Sequence, residues 1–190
     1  GSPAVQAGNG VSLTPADWHR RYSEQARWTA DLRRYLLGQV TLPLAPRMLE
    51  VGCGTGAVLA ELPPPPPPAS PSNLPHLAAQ NGGDQSTPQL AAQNGGDQCK
   101  GAATLRPYPD AKEGGLFGID LSLSSLRLAA THAPLARLAC ADAQALPYPA
   151  ASFDLVCCHF LLLWVIDPGR VLREMRRVAR SGGAVLAFAE

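Results

Sequence analysis

The chain has little charge of either sign and almost none in excess. Its 16 Lys and Arg against 15 Asp and Glu leave a net charge of +1, which gives no basis for holding a polyanion such as nucleic acid. Arginines do cluster, at Arg20, Arg21, Arg33 and Arg34 and at Arg170, Arg173, Arg176, Arg177 and Arg180. Both groups fall on predicted helices and read as solvated helix faces, the second also complementing a helix C-terminus. Cysteine is scarce as well. Cys53, Cys99, Cys140, Cys157 and Cys158 form no C-x-x-C pair and show no metal-ligand spacing with the histidines. They are expected as reduced, mostly buried thiols of a cytoplasmic protein. No apolar run approaches a membrane span; residues 155–166 are too short and fit a buried strand leading into a short helix. A signal peptide is not visible at the N-terminus, where Gly1-Ser2-Pro3 reads as a cloning remnant and residues 1–13 as a disordered tail.

What is present is an alternation of helical and strand-like segments within a length suited to one domain. Thr14 is placed to cap a helix over 14–38, with Pro15 at its first position and Gly38 as its stop. Residues 47–51 form a short strand that runs into Gly52-Cys53-Gly54-Thr55-Gly56, and a helix is expected from about 56 to Leu62. Six consecutive prolines at 63–68 stop it. The nine residues Leu77–Gln85 then return unchanged as Leu90–Gln98. Such a duplicated polar segment has little to bury, so residues 63–113 are expected to be a low-complexity insertion. Strands follow at 116–120, 135–140, 153–158 and 184–189. Between them lie a helix capped by Ser122 and another opened by Asp167-Pro168 and running to about Ala179, with a turn at Ser181-Gly182-Gly183. This order predicts an α/β, Rossmann-like doubly wound sheet, mostly parallel, with its ligand beyond the carboxyl ends of the strands.

The glycine-rich turn is needed where backbone must bend sharply and approach a ligand. Its spacing, G-x-G-x-G, differs from the G-x-G-x-x-G of dinucleotide binders. The next strand ends in Asp120, suited to accept both hydroxyls of a ribose; it lies 64 positions beyond Gly56 where about 20 is usual, and the insertion accounts for the excess.

At this point a resemblance emerges. Leu49-Glu50-Val51-Gly52-Cys53-Gly54-Thr55-Gly56 resembles motif I of class I S-adenosyl-L-methionine (SAM)-dependent methyltransferases, and Gly118-Ile119-Asp120-Leu121-Ser122 resembles their second motif. Asp142-Ala143-Gln144-Ala145-Leu146-Pro147-Tyr148-Pro149, running on to Ser152-Phe153-Asp154-Leu155-Val156, is similar to a third, typical of the branch containing ubiquinone- and menaquinone-biosynthesis methyltransferases. The resemblance covers residues 47–62 and 114–190. It implies strand order 3-2-1-4-5, with a sixth and seventh strand expected beyond Glu190, so the chain reads as truncated after its fifth strand. That strand is then an open edge through which self-association is expected.

The resemblance also implies roles. Glu50, Gly52, Gly54 and Gly56 shape the pocket around the methionine moiety of SAM. Asp120 binds the ribose and Leu121 packs on the adenine; Asp142 reaches the adenine amino group and Ala143 lies beside the ring. His159, at the end of the fourth strand, reads as a pocket residue or a general base, or as a histidine satisfied locally. Tyr22 and His19 are further catalytic candidates on an N-terminal helix that covers the cofactor, or else are residues packing that helix on the domain. Two positions depart from the family: Leu163-Trp164 stands where a His-His pair is frequent, and Ala150 where an aspartate is common. The implied reaction is in-line displacement at the SAM methyl group, which needs no general base unless the acceptor must lose a proton. A small-molecule acceptor is favoured, because the sequence lacks both the N/D-P-P-Y/F/W run of amino-methylating nucleic-acid enzymes and a Pro-Cys nucleophile. The competing readings are a SAM-binding module without turnover and a NAD-dependent oxidoreductase.

Overall fold

A computed structural model describes residues 14–63, 103–104 and 114–189. Helix α1 (Pro15–Trp28) opens with a full capping box: the Thr14 hydroxyl accepts from the Asp17 amide, and the Asp17 carboxylate accepts from the Thr14 amide. The single helix expected over 14–38 is broken at Thr29, after which α2 (Ala30–Gly38) begins. The cause is local competition for carbonyls. The Thr29 hydroxyl lies 3.2 Å from the carbonyls of both Gln25 and Ala26, and Arg33 Nη1 donates to Ala26 O at 2.6 Å.

Strand β1 (Arg47–Val51) feeds the glycine turn. The expected helix after it is reduced to a single 3-10 turn at Leu59–Glu61, because Leu62 is already extended at φ −68°, ψ 140°. That is the conformation a following proline imposes. Within the span expected as an insertion, β2 (Ala103–Thr104) pairs antiparallel with residues 139–140. The rest of 64–113, including the duplicated segment, lies outside the described residues, as does the tail before Thr14.

The remaining elements are β3 (Gly115–Asp120), α3 (Leu123–His132), β4 (Arg137–Cys140), β5 (Phe153–His159), α4 (Pro168–Val178) and β6 (Ala179–Phe188). Ser122 caps α3 through the Ser125 amide, and Asp167 caps α4 through the Arg170 amide. The sheet order is β2-β4-β3-β1-β5-β6, and every pairing among the last five is parallel. In sequence order these five strands are 3-2-1-4-5, so the order reverses between β1 and β5, where such sheets hold their ligands. The turn expected at Ser181-Gly182-Gly183 is instead a bulge inside β6, which begins directly after α4. Register passes from Phe153↔Ala179 to Leu155↔Ala184, and Gly182 takes φ +77°.

Both faces of the sheet are buried, as a parallel sheet requires. Along β5, Phe153, Val156 and Cys158 face one core with Val171, Met175 and Val178 of α4. Leu155 and Cys157 face the other with Leu59 and with Leu126 and Ala129 of α3. Asp154 is a brace between strands: buried, it accepts the Arg47 amide at 2.7 Å and pairs with Arg180. Two expectations about composition fail here. Arg33 is only 3% exposed and is no part of a solvated face. Cys140 is disulfide-bonded, while Cys53, Cys157 and Cys158 are buried thiols.

Candidate functional site

The carboxyl ends of β1, β3, β4 and β5 open into one cavity of about 410 Å³. Its floor is the glycine turn. Cys53 N donates to Ile119 O and Gly56 N to Cys53 O, each at 2.8 Å, so the turn is stitched to the end of β3. Gly54 holds φ +52°, and a Cβ there would sit 3.5 Å from the ring of Tyr22, filling the space between turn and helix α1. Gly52 and Gly54 line the cavity, but Gly56 does not. Gly56 faces α3, where a Cβ would come within 3.1 Å of the Ala129 backbone, so its role is close helix packing.

Glu50 is the penultimate residue of β1, with its side chain on the same sheet face as Met48. It is 2% exposed, lines the cavity, and its Oε2 is buried with no hydrogen-bond partner. Burial pushes its carboxyl well above the usual carboxylate range, opposed by the Arg33 guanidinium. Asp120 is locked from two sides: Oδ2 accepts from Gly54 N and Oδ1 from Ser122 N, both at 2.8 Å.

Leu121, Asp142 and Ala143 complete the far wall. Asp142 Oδ1 accepts from Gln144 N at 2.8 Å, an Asx turn that fixes its backbone. The segment after it is clasped by α4. Arg177 donates to Tyr148 O and Leu146 O, Glu174 accepts from Leu146 N, and Arg170 Nε donates to Gln144 O. Two arginines expected on a solvated face therefore hold the third motif in place.

Helix α1 and the segment after β5 roof the cavity. Tyr22 lines it; burial first and the Asp120 carboxylate second raise its phenol pKa, keeping it protonated. His19 does not reach the cavity. Its Nδ1 is 2.8 Å from Thr55 Oγ1 and its ring stacks on His132 at 3.5 Å between centroids, so it fastens α1 to the outside of the glycine turn. His159 lines the cavity with Nε2 2.8 Å from Thr29 Oγ1. Burial, with Arg33 nearby, pulls its imidazole pKa from 6.5 down to about 4. Sequence reasoning missed Trp18, Gln25, Phe160, Leu161 and Val165 in the lining and Thr29 and Arg33 behind it. Trp164, noted only as a departure from the family, also lines the cavity and is 79% exposed.

The donor set fits SAM. A buried carboxylate oxygen lacking a partner suits an ammonium group, a carboxylate at the end of β3 suits vicinal hydroxyls, and Leu121 with Ala143 forms an apolar slot.

Comparison with known proteins agrees. A family profile described as "Methyltransferase domain" matches residues 83–187, more than half of the chain, beginning downstream of the glycine turn. A malonyl-[acyl-carrier protein] O-methyltransferase of Halorhodospira halophila is 39% identical over 85 residues, which is 43% of this chain and 28% of that protein. A ubiquinone/menaquinone biosynthesis C-methyltransferase of Hahella chejuensis is 52% identical over 48 residues, 25% of this chain and 19% of that protein. The chain thus spans under a third of the length of these curated relatives. Among solved structures, a SAM-dependent methyltransferase of Methanococcus maripaludis, described as putative, superposes with a TM-score of 0.55. It is 13% identical, with 96% of this chain and 67% of that one covered. At that identity the likeness shows the fold alone. The profile match, three motifs at the ends of the strands they predict and the shared sheet together place this chain in the class I SAM-dependent methyltransferase family.

Proposed function

We propose that the cavity binds SAM and that the chain presents its methyl group to a small-molecule acceptor. The observation behind this reading is the pair of carboxylates at the ends of adjacent strands. Glu50 is buried with an unsatisfied oxygen, and Asp120 is fixed by the glycine turn itself. In this reading Glu50 and the turn at Gly52 and Gly54 hold the methionine end, Asp120 the ribose, and Leu121, Asp142 and Ala143 the adenine.

When bound, SAM supplies a methyl group already activated on a sulfonium. What the residues of this chain then do is position and exclude water. Tyr22 and Trp18 from α1, with Phe160, Leu161 and Trp164 from the segment after β5, enclose that end in largely apolar surface. Neither Tyr22 nor His159 is tuned to accept a proton near neutral pH: Tyr22 is held as a phenol, and His159 is a poor proton acceptor. This suits an acceptor that arrives already nucleophilic. The named relatives methylate oxygen, carbon or, in a phosphatidylethanolamine N-methyltransferase of Cereibacter sphaeroides, nitrogen. The family therefore leaves the acceptor atom open.

Calorimetric titration with SAM, S-adenosylhomocysteine and NAD tests the reading. The first two are expected to bind at one site and NAD to give no heat; NAD binding with no response to S-adenosylhomocysteine overturns it.

A further inference from the structure

His159 faces the cavity, yet one of its ring nitrogens is already committed. Behind it runs a buried chain of polar groups that joins elements far apart in sequence. Arg33 of α2 donates from Nη1 to Thr29 Oγ1 and to Ala26 O, and from Nη2 to Glu61 in the 3-10 turn after the glycine loop. Thr29, at the break between α1 and α2, meets His159 Nε2 at 2.8 Å. Arginine can only donate, so the Thr29 oxygen must accept from it.

The Thr29 hydroxyl then has one proton to give. Its possible acceptors are the carbonyls of Gln25 and Ala26, each at 3.2 Å, and His159 Nε2 at 2.8 Å. The nitrogen is the closer partner, and Ala26 O is already served by Arg33 at 2.6 Å. A guanidinium bonded to Oγ1 withdraws electron density from it, which makes the hydroxyl a better donor and a poorer acceptor. Nε2 therefore accepts, and the proton of the neutral ring resides on Nδ1.

We infer that Thr29 and Arg33 are positioning residues that hold His159 as its Nδ1–H tautomer, so that it meets a cavity ligand as a hydrogen-bond donor and not as a general base. The charged and titratable groups around it are consistent with this role. Arg33 from α2 opposes a second positive charge on the ring. Glu50 from β1 favours its neutral form through burial, and Glu61, which Arg33 pairs with, is half exposed. The same chain ties α1, α2, β5 and the segment after the glycine turn together behind one cavity wall.

The proton assignment does not depend on what the cavity binds; only the donor role rests on the SAM reading. Nitrogen-15 NMR of the imidazoles tests both in the ligand-free protein, and the chain has four histidines to resolve. The His159 signals, assigned by their loss in His159→Gln, are expected to show protonated Nδ1 and bare Nε2, with no titration through pH values near 6.5. Thr29→Ser is expected to retain this pattern. Thr29→Val is expected to lose it while the signals of the stacked His19 and His132 stay in place, which reports an intact fold. A ring protonated at Nε2 in the unaltered protein, or one titrating at an ordinary histidine value, overturns the inference. So does an unchanged tautomer in Thr29→Val. Adding S-adenosylhomocysteine is expected to move the His159 Nδ1 signal. No movement, with the tautomer as expected, overturns the donor role alone and counts against the cofactor reading, leaving the proton assignment standing.

Discussion

The two walls of the cavity are built by different means. The wall at β3 and β4 is held through backbone groups, each bond having a main-chain N–H or C=O on one side. Asp120 is held by Gly54 and Ser122, Asp142 by Gln144 two residues on, and the segment after it by α4. The roof over the glycine turn is assembled from distant segments. Thr29 meets His159 across 130 positions, Arg33 meets Glu61 across 28, and His19 meets Thr55 across 36. Bonds of the first kind need one side-chain type against a backbone group that any residue supplies, so they leave a recognisable residue in the sequence. Bonds of the second kind need two side chains to match across the chain. If the cavity binds SAM as proposed, the adenosine half meets the wall held through backbone groups, and the half that would face an acceptor meets the roof held by side-chain pairs.

Substitutions in the two walls should separate accordingly. The largest effect is expected at the floor they share. Gly54→Val puts a branched residue at φ +52° and fills the gap beneath Tyr22, so S-adenosylhomocysteine binding should vanish in calorimetry. Binding within tenfold of the unaltered chain would show that no ligand approaches the turn. In the wall at β3 and β4, Asp120→Ala should weaken binding by about 1.5–3 kcal/mol, the range for hydrogen bonds to a charged group. In the roof, Arg33→Met should leave affinity less affected and act on stability. It removes the donor to Ala26, Thr29 and Glu61, and a loss of about 2 kcal/mol is expected from urea unfolding. If Arg33→Met costs more affinity than Asp120→Ala, the division between the walls is wrong. The smallest effect is expected from replacing residues 66–98 with a short glycine-serine linker, which keeps β2. Loop closure depends only weakly on length, so affinity should stay within threefold, under about 1 kcal/mol.

How much of this was legible in the sequence follows the same line. The five parallel strands and the caps at Thr14, Ser122 and Asp167 stand where periodicity and capping chemistry place them. Glu50, Gly52, Gly54, Asp120, Leu121, Asp142, Ala143, Tyr22 and His159 are all brought to the cavity. Gly56 and His19 are not, because G-x-G-x-G spacing does not distinguish a glycine that spares a ligand from one that spares a helix, and a helical histidine carries no mark of the side it faces. Leu62 could have been read correctly: six prolines after it already argue against a helix there. The break at Thr29 could not, since it depends on Arg33 reaching back to Ala26 and on a strand more than a hundred residues later. Arg33 illustrates the limit best. In sequence it is one of five arginines on the helix expected over 14–38, and only its partners make it a buried hub.

The central claim is that Glu50, with its unpartnered oxygen, receives the ammonium end of SAM. In the free protein its raised pKa means that the native state holds this proton to higher pH than the unfolded chain does. Stability should therefore fall as pH rises above the ordinary glutamate value of about 4.5. An ammonium ligand reverses this by favouring the carboxylate, so over the pH range in which Glu50 is protonated binding should release a proton and strengthen with pH. Titration of S-adenosylhomocysteine in two buffers of different ionisation enthalpy measures that proton directly. The account predicts release on binding to the unaltered chain and none on the weaker binding to Glu50→Gln; binding without proton release, or release undiminished in Glu50→Gln, would contradict it.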